Sequence, residues 1–149
     1  EKTFIAEIEK VLASVLRYRN EHVRGHYADV ILRAKKYIDA NFADPDICLR
    51  SVADAVHFSP NHFSTIFSQE CNTTFIEYLT GVRIARAKKL LKSTDMKSAD
   101  IAYKTGFNDP HYFSFIFKKV TGLSPREYRA DPANDTYAPR QSGSISDNG

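Results

Sequence analysis

The side chains best suited to chemistry in this chain are polar groups that recur in two similar segments, and their chemistry is hydrogen bonding. Residues 59–67 and 109–117 each carry polar side chains between aromatic residues, with Asn61 in the first segment and His111 at the matching position of the second. An Asn side chain forms paired hydrogen bonds with adenine, and a Thr side chain such as Thr65 offers a methyl group to thymine or a hydroxyl to other bases. This pattern favours the reading of base edges.

The two segments belong to a longer internal repeat. Residues 52–58 align with residues 101–107, and one residue is inserted in the second copy before the alignment resumes. Each copy has a short apolar stretch, a tight turn, and a second stretch that opens with a capping residue followed by proline, a common helix start. The repeat therefore predicts two helix–turn–helix units, in which the second helix of each unit enters the major groove of DNA.

Catalytic and metal-binding patterns are missing from the sequence. The five histidines are scattered, and none stands at ligand or triad spacing with cysteine or carboxylate residues. No glycine-rich phosphate loop is present. We therefore expect no catalytic residue, metal or cofactor. Cys48 and Cys71 lack the spacing of a disulfide framework and are expected to be buried thiols in a reducing cytoplasm, without the basic neighbours that would activate them.

The charge is distributed unevenly along the chain. The net charge is +3 overall, but it is −2 over residues 1–82 and +7 over residues 83–129. A basic second half suits contact with phosphates, although a solvated lysine-rich helix face would give the same count. No apolar run is long enough for a transmembrane helix and no leader is visible, so we expect a cytoplasmic protein. The first residue, Glu1, suggests a fragment of a longer one.

The periodicity of apolar residues predicts an all-helical fold. Residues 2–22 form a linker or dimerisation helix, whose apolar seam is interrupted at Arg19 and His22. A plain amphipathic helix packed on the main domain is the alternative. Gly25 is expected to interrupt the helical pattern before a second helix over residues 27–41. The expected organisation is a linker helix (1–26), a first helix–turn–helix subdomain (27–73), a connecting helix (74–93), a second helix–turn–helix subdomain (94–129) and a disordered tail (130–149).

Helical spacing divides each second helix into two faces. The core-facing residues are expected to be Phe63, Ile66 and Phe67 in the first unit, and Phe113, Ile116 and Phe117 in the second. Phe115 stands where Thr65 stands in the first copy. Its ring either packs on thymine methyl groups or is partly buried, and the sequence leaves both open. The connecting helix would span roughly 27 Å at 1.5 Å per residue, so two grooves about 34 Å apart lie within reach, or else the DNA must bend.

These residues resemble the DNA-binding domain of the AraC/XylS family of bacterial transcription regulators. The resemblance covers about Ala28 to Arg129, and its most specific residues are Ile101-Ala102, Gly106-Phe107, Tyr112-Phe113-Ser114, Phe117-Lys118-Lys119, Gly122, Ser124-Pro125 and Tyr128-Arg129. It implies two helix–turn–helix subdomains joined by a long helix. It also implies base reading by Asn61, Ser64 and Thr65 in the first unit and by His111, Ser114 and Phe115 in the second.

The chain departs from the family pattern where family members often carry arginine, near Thr65 and Phe115, and where they carry basic residues, near Ser68 and Gln69. The first unit is therefore expected to bind more weakly than the second. The expected phosphate contacts come from helix N-termini and from His62, Arg83, Arg86, Tyr112, Lys118, Lys119 and Arg126.

The segment before Gly25 is similar to the linkers that follow receiver domains in response regulators of this family. That similarity implies the output domain of a two-component regulator, with a ligand-sensing upstream domain as the alternative. The resemblance also implies double-stranded DNA and RNA polymerase as partners of an activator. A homodimer would form through the upstream domain or the N-terminal helix. A helical protein-interaction module is the rival from another class.

Overall fold

The computed structural model describes residues 2–134, with the side chains of residues 2, 20–24 and 134 left out of the description. All regular structure in that range is helical, which confirms the expected fold class. The elements are α1 (Lys2–Asn41), α2 (Leu49–Ala55), α3 (Pro60–Cys71), α4 (Phe75–Ser93), α5 (Ser98–Lys104), α6 (Pro110–Thr121), α7 (Pro125–Ala130) and a short 3-10 turn (Pro132–Asn134). Most of the predicted tail lies outside the described residues.

Helix α1 runs without interruption through Gly25, so the predicted break there was wrong. An interior glycine costs a helix only about 1 kcal/mol relative to alanine, which its neighbours can offset. Gly25 has a negative φ, and a Cβ added to it would meet no atom from outside its helix backbone within 4 Å, so neither a turn nor a close approach explains the residue type. The last turns of α1 bury Val30, Ala34 and Ile38, as their spacing predicts.

The chain folds as two compact units. The boundary between them falls inside α4, between Leu79 and Thr80, and residues 42–45 group with the second unit. In the first unit α1 packs against α2 and α3, around Phe63 and Phe67. In the second unit the core holds these buried residues: Ile84, Ala87, Leu91, Ile101, Ala102, Phe107, Phe113 and Phe117.

The two helix–turn–helix units share their unusual backbone positions. His57 and Gly106, which align in the repeat, both have positive φ values, of 62° and 95°. Asn72 and Gly122, which also align, end α3 and α6 in the left-handed region. Only a few residue types tolerate this region easily. The repeat in the sequence is therefore also a repeat in backbone conformation.

The predicted helix starts of α3 and α6 are confirmed. Ser59 caps α3 by accepting a hydrogen bond from the backbone N–H of His62, and Asp109 caps α6 by accepting one from the backbone N–H of His111. Helix α2 begins at Leu49. The Ser51 hydroxyl in its first turn reaches back and accepts a hydrogen bond from the backbone N–H of Cys48 at 3.1 Å.

In the first turn of α4, Phe75 is buried and Ile76 is 64% exposed. The prediction of buried thiols was wrong. Cys48 is exposed and Cys71 is half-buried, so neither is a fully buried thiol. Among the described residues, no helix has the length and apolar character needed to cross a membrane.

Candidate DNA-binding surfaces

Helix α3 of the first unit separates an apolar from a polar face. Phe63, Ile66 and Phe67 are buried, as predicted. Asn61 and Thr65, which lie one turn apart, are both exposed. Since side chains four residues apart share one face of a helix, the two side chains form a single polar surface. Ser64, the third predicted base-reading residue of this unit, is half-buried beside them.

Two side chains of α3 are already engaged within the first unit. The Thr65 hydroxyl donates a hydrogen bond to the backbone carbonyl of Asn61 at 3.1 Å. The His62 ring lies 5.1 Å from the Phe58 ring and 6.1 Å from the Tyr27 ring, between centroids. His62 is exposed, so these ring contacts orient its imidazole on the surface.

Helix α6 of the second unit repeats this division. Phe113 and Phe117 are buried, while Ile116 is only partly buried against the same core. His111 is exposed at the first turn and Ser114 is half-buried. The predicted base-reading residues of this unit therefore lie on the face of α6 that its core leaves uncovered.

Phe115 and Tyr112 give α6 an aromatic surface that α3 lacks. The Phe115 side chain is 63% exposed and that of Tyr112 is 55% exposed. The alternative in which Phe115 is partly buried by packing was therefore wrong. The Tyr112 ring lies 6.3 Å from the Phe107 ring, which holds it against the turn that precedes α6.

The candidate phosphate-binding residues fall into two groups. Arg86 on α4, Lys118 and Lys119 on α6, and Arg126 on α7 are exposed. Arg83 is half-buried instead, and burial lowers the pKa of its guanidinium. Its Nε donates to the carbonyl of Phe42 and its second amino group donates to the carbonyl of Asp44, both at 2.9 Å.

The phosphate contact predicted for Arg83 is not tested by this geometry, but the two hydrogen bonds give the residue a role within the fold. They fasten residues 42–45 to α4. The guanidinium also lies over the Phe107 ring, with 5.6 Å between the guanidinium carbon and the ring centroid. A sequence pattern could not show this role, because the donor and its acceptors are about 40 residues apart.

Arg129 and Lys92 also point into the second unit, and no pattern in the sequence indicated a role for either side chain. Arg129 donates to the carbonyls of Leu91 and Met96, and Lys92 donates to the carbonyls of Arg129 and Asp131. The net charge of residues 83–129 therefore overstates the charge available to a ligand.

The remaining described side chains contain no group of three or more His, Cys, Asp or Glu that could hold a metal ion. The two surfaces are polar, partly aromatic and, in the second unit, basic. Such surfaces form hydrogen bonds and ion pairs with phosphates and base edges.

Comparisons with known proteins match the chain to helix-turn-helix proteins. A family profile described as a helix-turn-helix domain matches residues 52–131. The arabinose operon regulatory protein of Escherichia coli is 35% identical over 123 residues, which cover 83% of this chain and 42% of that protein. The chain thus spans less than half the length of this curated relative.

Two solved structures are similar in fold and sequence. One is the C-terminal domain of AraT, a response regulator from Geobacillus stearothermophilus, with 36% identity and a TM-score of 0.68 over 76% of this chain and 93% of that one. The other is the C-terminal domain of the two-component response regulator yesN from Fusobacterium nucleatum, with 30% identity and a TM-score of 0.63 over 64% of this chain and 93% of that one.

Proposed function

The chain belongs to the AraC/XylS family of DNA-binding transcription regulators, and we propose that its two recognition helices, α3 and α6, bind two successive major grooves of one duplex. The observation that carries this proposal is the matched design of the two helices. Each buries a matching pair of phenylalanines, Phe63 and Phe67 on α3 and Phe113 and Phe117 on α6, and exposes a polar side chain, Asn61 or His111, at the same position of its first turn. The family is one of DNA-binding regulators and not of enzymes.

We assign base reading to the uncovered faces of the two helices. The residues are Asn61, Ser64 and Thr65 on α3, and His111, Ser114 and Phe115 on α6. Asn61 has the clearest preference, because its amide can pair with the N6 and N7 positions of adenine. Replacing Asn61 or His111 with alanine should relax base preference at one position of the site while leaving the fold intact, since both side chains are exposed.

Phosphate contacts position the protein on the duplex. We assign them to the backbone N–H groups at the starts of α3 and α6 and to Arg86, Lys118, Lys119, Arg126, His62 and Tyr112. The exposure of these side chains supports the assignment. Arg83 has a weaker claim, since two of its nitrogen atoms already donate within the second unit.

A reading of two grooves requires the two recognition helices to reach major grooves about 34 Å apart, which is one turn of DNA. If the helices do not match that spacing, the duplex must bend to meet both.

We further propose that the chain is the output domain of a cytoplasmic response regulator that activates transcription by contact with RNA polymerase. AraT and yesN, which are described as response regulators, support the upstream receiver. The arabinose operon regulatory protein, at similar identity, keeps a ligand-sensing upstream domain as the alternative. Phosphotransfer to the full-length protein from a small phosphodonor such as acetyl phosphate would distinguish the two.

The N-terminal part of α1 supports a homodimer. Phe4, Ile8, Leu12 and Val15 are between 44% and 69% exposed, along with four other large apolar side chains of the same segment. Exposed apolar patches above a few hundred Å² mark interaction sites. Sedimentation of the chain and of a Leu12→Lys variant tests this point. A dimer that the substitution dissociates supports the proposal, and a monomer at all concentrations contradicts it.

The function is tested by selecting bound duplexes from a random DNA library at near-physiological salt. Two short boxes about one helical turn apart are expected. A single box would leave the first unit without a reading role. A folded protein that enriches no sequence would contradict the proposal and favour a protein-interaction module. Affinity for the selected duplex should fall steeply with added salt, as ion pairs with phosphates require.

A further inference from the structure

We propose that the chain recognises thymine methyl groups at matching positions of its two units, through Thr65 on α3 and Phe115 on α6. This inference rests on the proposed function and adds the chemical group that is read. The two residues are equivalent in the internal repeat, and each lies four residues after the first polar residue of its helix, Asn61 or His111.

The exposure of Phe115 is the first observation. Its ring is 63% exposed, while Phe113 and Phe117 on either side of it fill the core of the second unit. The ring therefore contributes little to folding, and covering it with another apolar group would be favourable because apolar surface is removed from water. The only apolar group that a base pair presents in the major groove is the C5 methyl group of thymine.

The hydrogen bond of Thr65 is the second observation. Its hydroxyl proton is engaged by the carbonyl of Asn61 at 3.1 Å, so the hydroxyl cannot donate to a base while this bond is kept. The side chain is exposed, and the groups it offers to a ligand are a methyl group and an oxygen that accepts. A methyl group that enters the major groove can contact the C5 methyl group of thymine.

The absence of charge at both positions agrees with this inference. Neither Thr65 nor Phe115 can form the bidentate pair with guanine that arginine or lysine forms. The two units therefore present an apolar group at the same position of the repeat. A DNA site that matches both units would carry thymine at two equivalent positions. The rival for Phe115 is an apolar protein partner, which would also use the neighbouring Tyr112.

Replacing thymine with deoxyuridine tests the inference, because the two bases differ by the methyl group alone. The intact chain is first used to select duplexes from a random library prepared with thymidine. The selected duplex is then synthesised with deoxyuridine at one thymine position at a time. Since burying one methyl group is worth about fourfold in an equilibrium constant, we expect Kd to rise about fourfold at one position in each box and to stay constant elsewhere.

Protein variants assign each methyl group to its residue. Phe115→Ala should bind the thymine and deoxyuridine duplexes equally well in the second box. Val120→Ala, which truncates another exposed apolar residue of α6, should keep the full discrimination. In the first box, Thr65→Ser removes only the methyl group and should abolish discrimination. Thr65→Val replaces the hydroxyl with a second methyl group, keeps the original one and should preserve discrimination.

The outcomes separate this inference from the function on which it rests. Discrimination that follows the variants as described supports it. A selected duplex that binds specifically but tolerates deoxyuridine at every position would overturn the inference and leave the function standing. So would discrimination that survives in Phe115→Ala and Thr65→Ser. Failure to enrich any duplex would overturn both. Thermal melting confirms that each variant is folded.

Discussion

Substitution of the two left-handed glycines of the second unit by alanine separates backbone strain from steric conflict. Gly106 and Gly122 have similar φ values, of 95° and 83°, but different surroundings. A Cβ on Gly122 would meet no atom within 4 Å. A Cβ on Gly106 would clash with the carbonyl oxygen of Phe42 and would lie 2.8 Å from Nε of Arg83. One of these groups must therefore move in the Gly106→Ala variant.

The expected losses of stability differ severalfold. An L-residue in the left-handed region costs about 1–2 kcal/mol, and the stiffer unfolded chain of the alanine variant returns part of that. Gly122→Ala should therefore lose about 1 kcal/mol. Gly106→Ala bears the same cost and also displaces Phe42 or Arg83. Because each hydrogen bond from a charged donor contributes about 1.5–3 kcal/mol, losing one or both should bring the total to about 3–7 kcal/mol.

Denaturant unfolding measures both variants directly, and thermal melting gives a second measure. For a chain of this size, Tm should fall by roughly 3 °C per kcal/mol, hence by about 3 °C for Gly122→Ala and by 10 °C or more for Gly106→Ala. Amide exchange should locate the extra loss in the second unit. Equal losses for the two glycines would refute the steric argument and would mean that residues 42–45 yield without cost.

Three further predictions concern single side chains. Arg86→Ala should lower the salt dependence of DNA binding by about one phosphate contact without changing base preference, whereas Arg83→Ala should mainly lower Tm, as binding and melting series would show. Cys48 should alkylate faster with iodoacetamide than Cys71, because hydrogen bonds from Ser51 lower the pKa of Cys48 and burial raises that of Cys71; equal rates would contradict this. Hydrogen bonds from Thr74 and Thr73 lower the pKa of Glu77, so its carboxylate stabilises the fold above the usual glutamate pKa of about 4.3. The difference in unfolding free energy between the chain and its Glu77→Gln variant should shrink as the pH falls below that value. A difference that stays constant with pH would contradict this prediction.

Most of the fold could be predicted from the sequence, because it depends on local patterns. Ser59 and Asp109 cap the helices that they were expected to cap, because each cap acts on a backbone N–H two or three residues away. Gly122 likewise ends α6 through its own backbone freedom. These features depend on neighbouring residues, so the sequence contains all that they need.

Features that depend on distant residues could not be predicted in the same way. The engagement of Arg83 depends on carbonyls of residues 42–45, and the turn at Gly106 depends on the same segment. Phe115 was left open between two alternatives, because helical spacing places it opposite Phe113 and Phe117 whereas its large apolar side chain favours burial. The continuity of α1 through Gly25 shows a different limit, in which a weak local breaker is overcome by the helix on either side.

The charge of the two recognition helices leads to a final prediction about how the units divide their work. Helix α3 contains no lysine or arginine and carries Glu70 near its end, whereas α6 carries Lys118 and Lys119. Salt dependence counts the phosphates that cations neutralise, so the first unit should add affinity that is nearly independent of salt. The slope of log Kd against log salt concentration should then differ by about one or less between a duplex with both boxes and a duplex that keeps only the second, although the longer site binds more tightly. A slope difference of one would correspond to one phosphate contact made by a cation of the first unit outside α3, such as Arg50. A slope that steepens by two or more would mean that cations elsewhere in the first unit contact the DNA backbone. The lack of cations on α3 would then not predict how the first unit binds DNA.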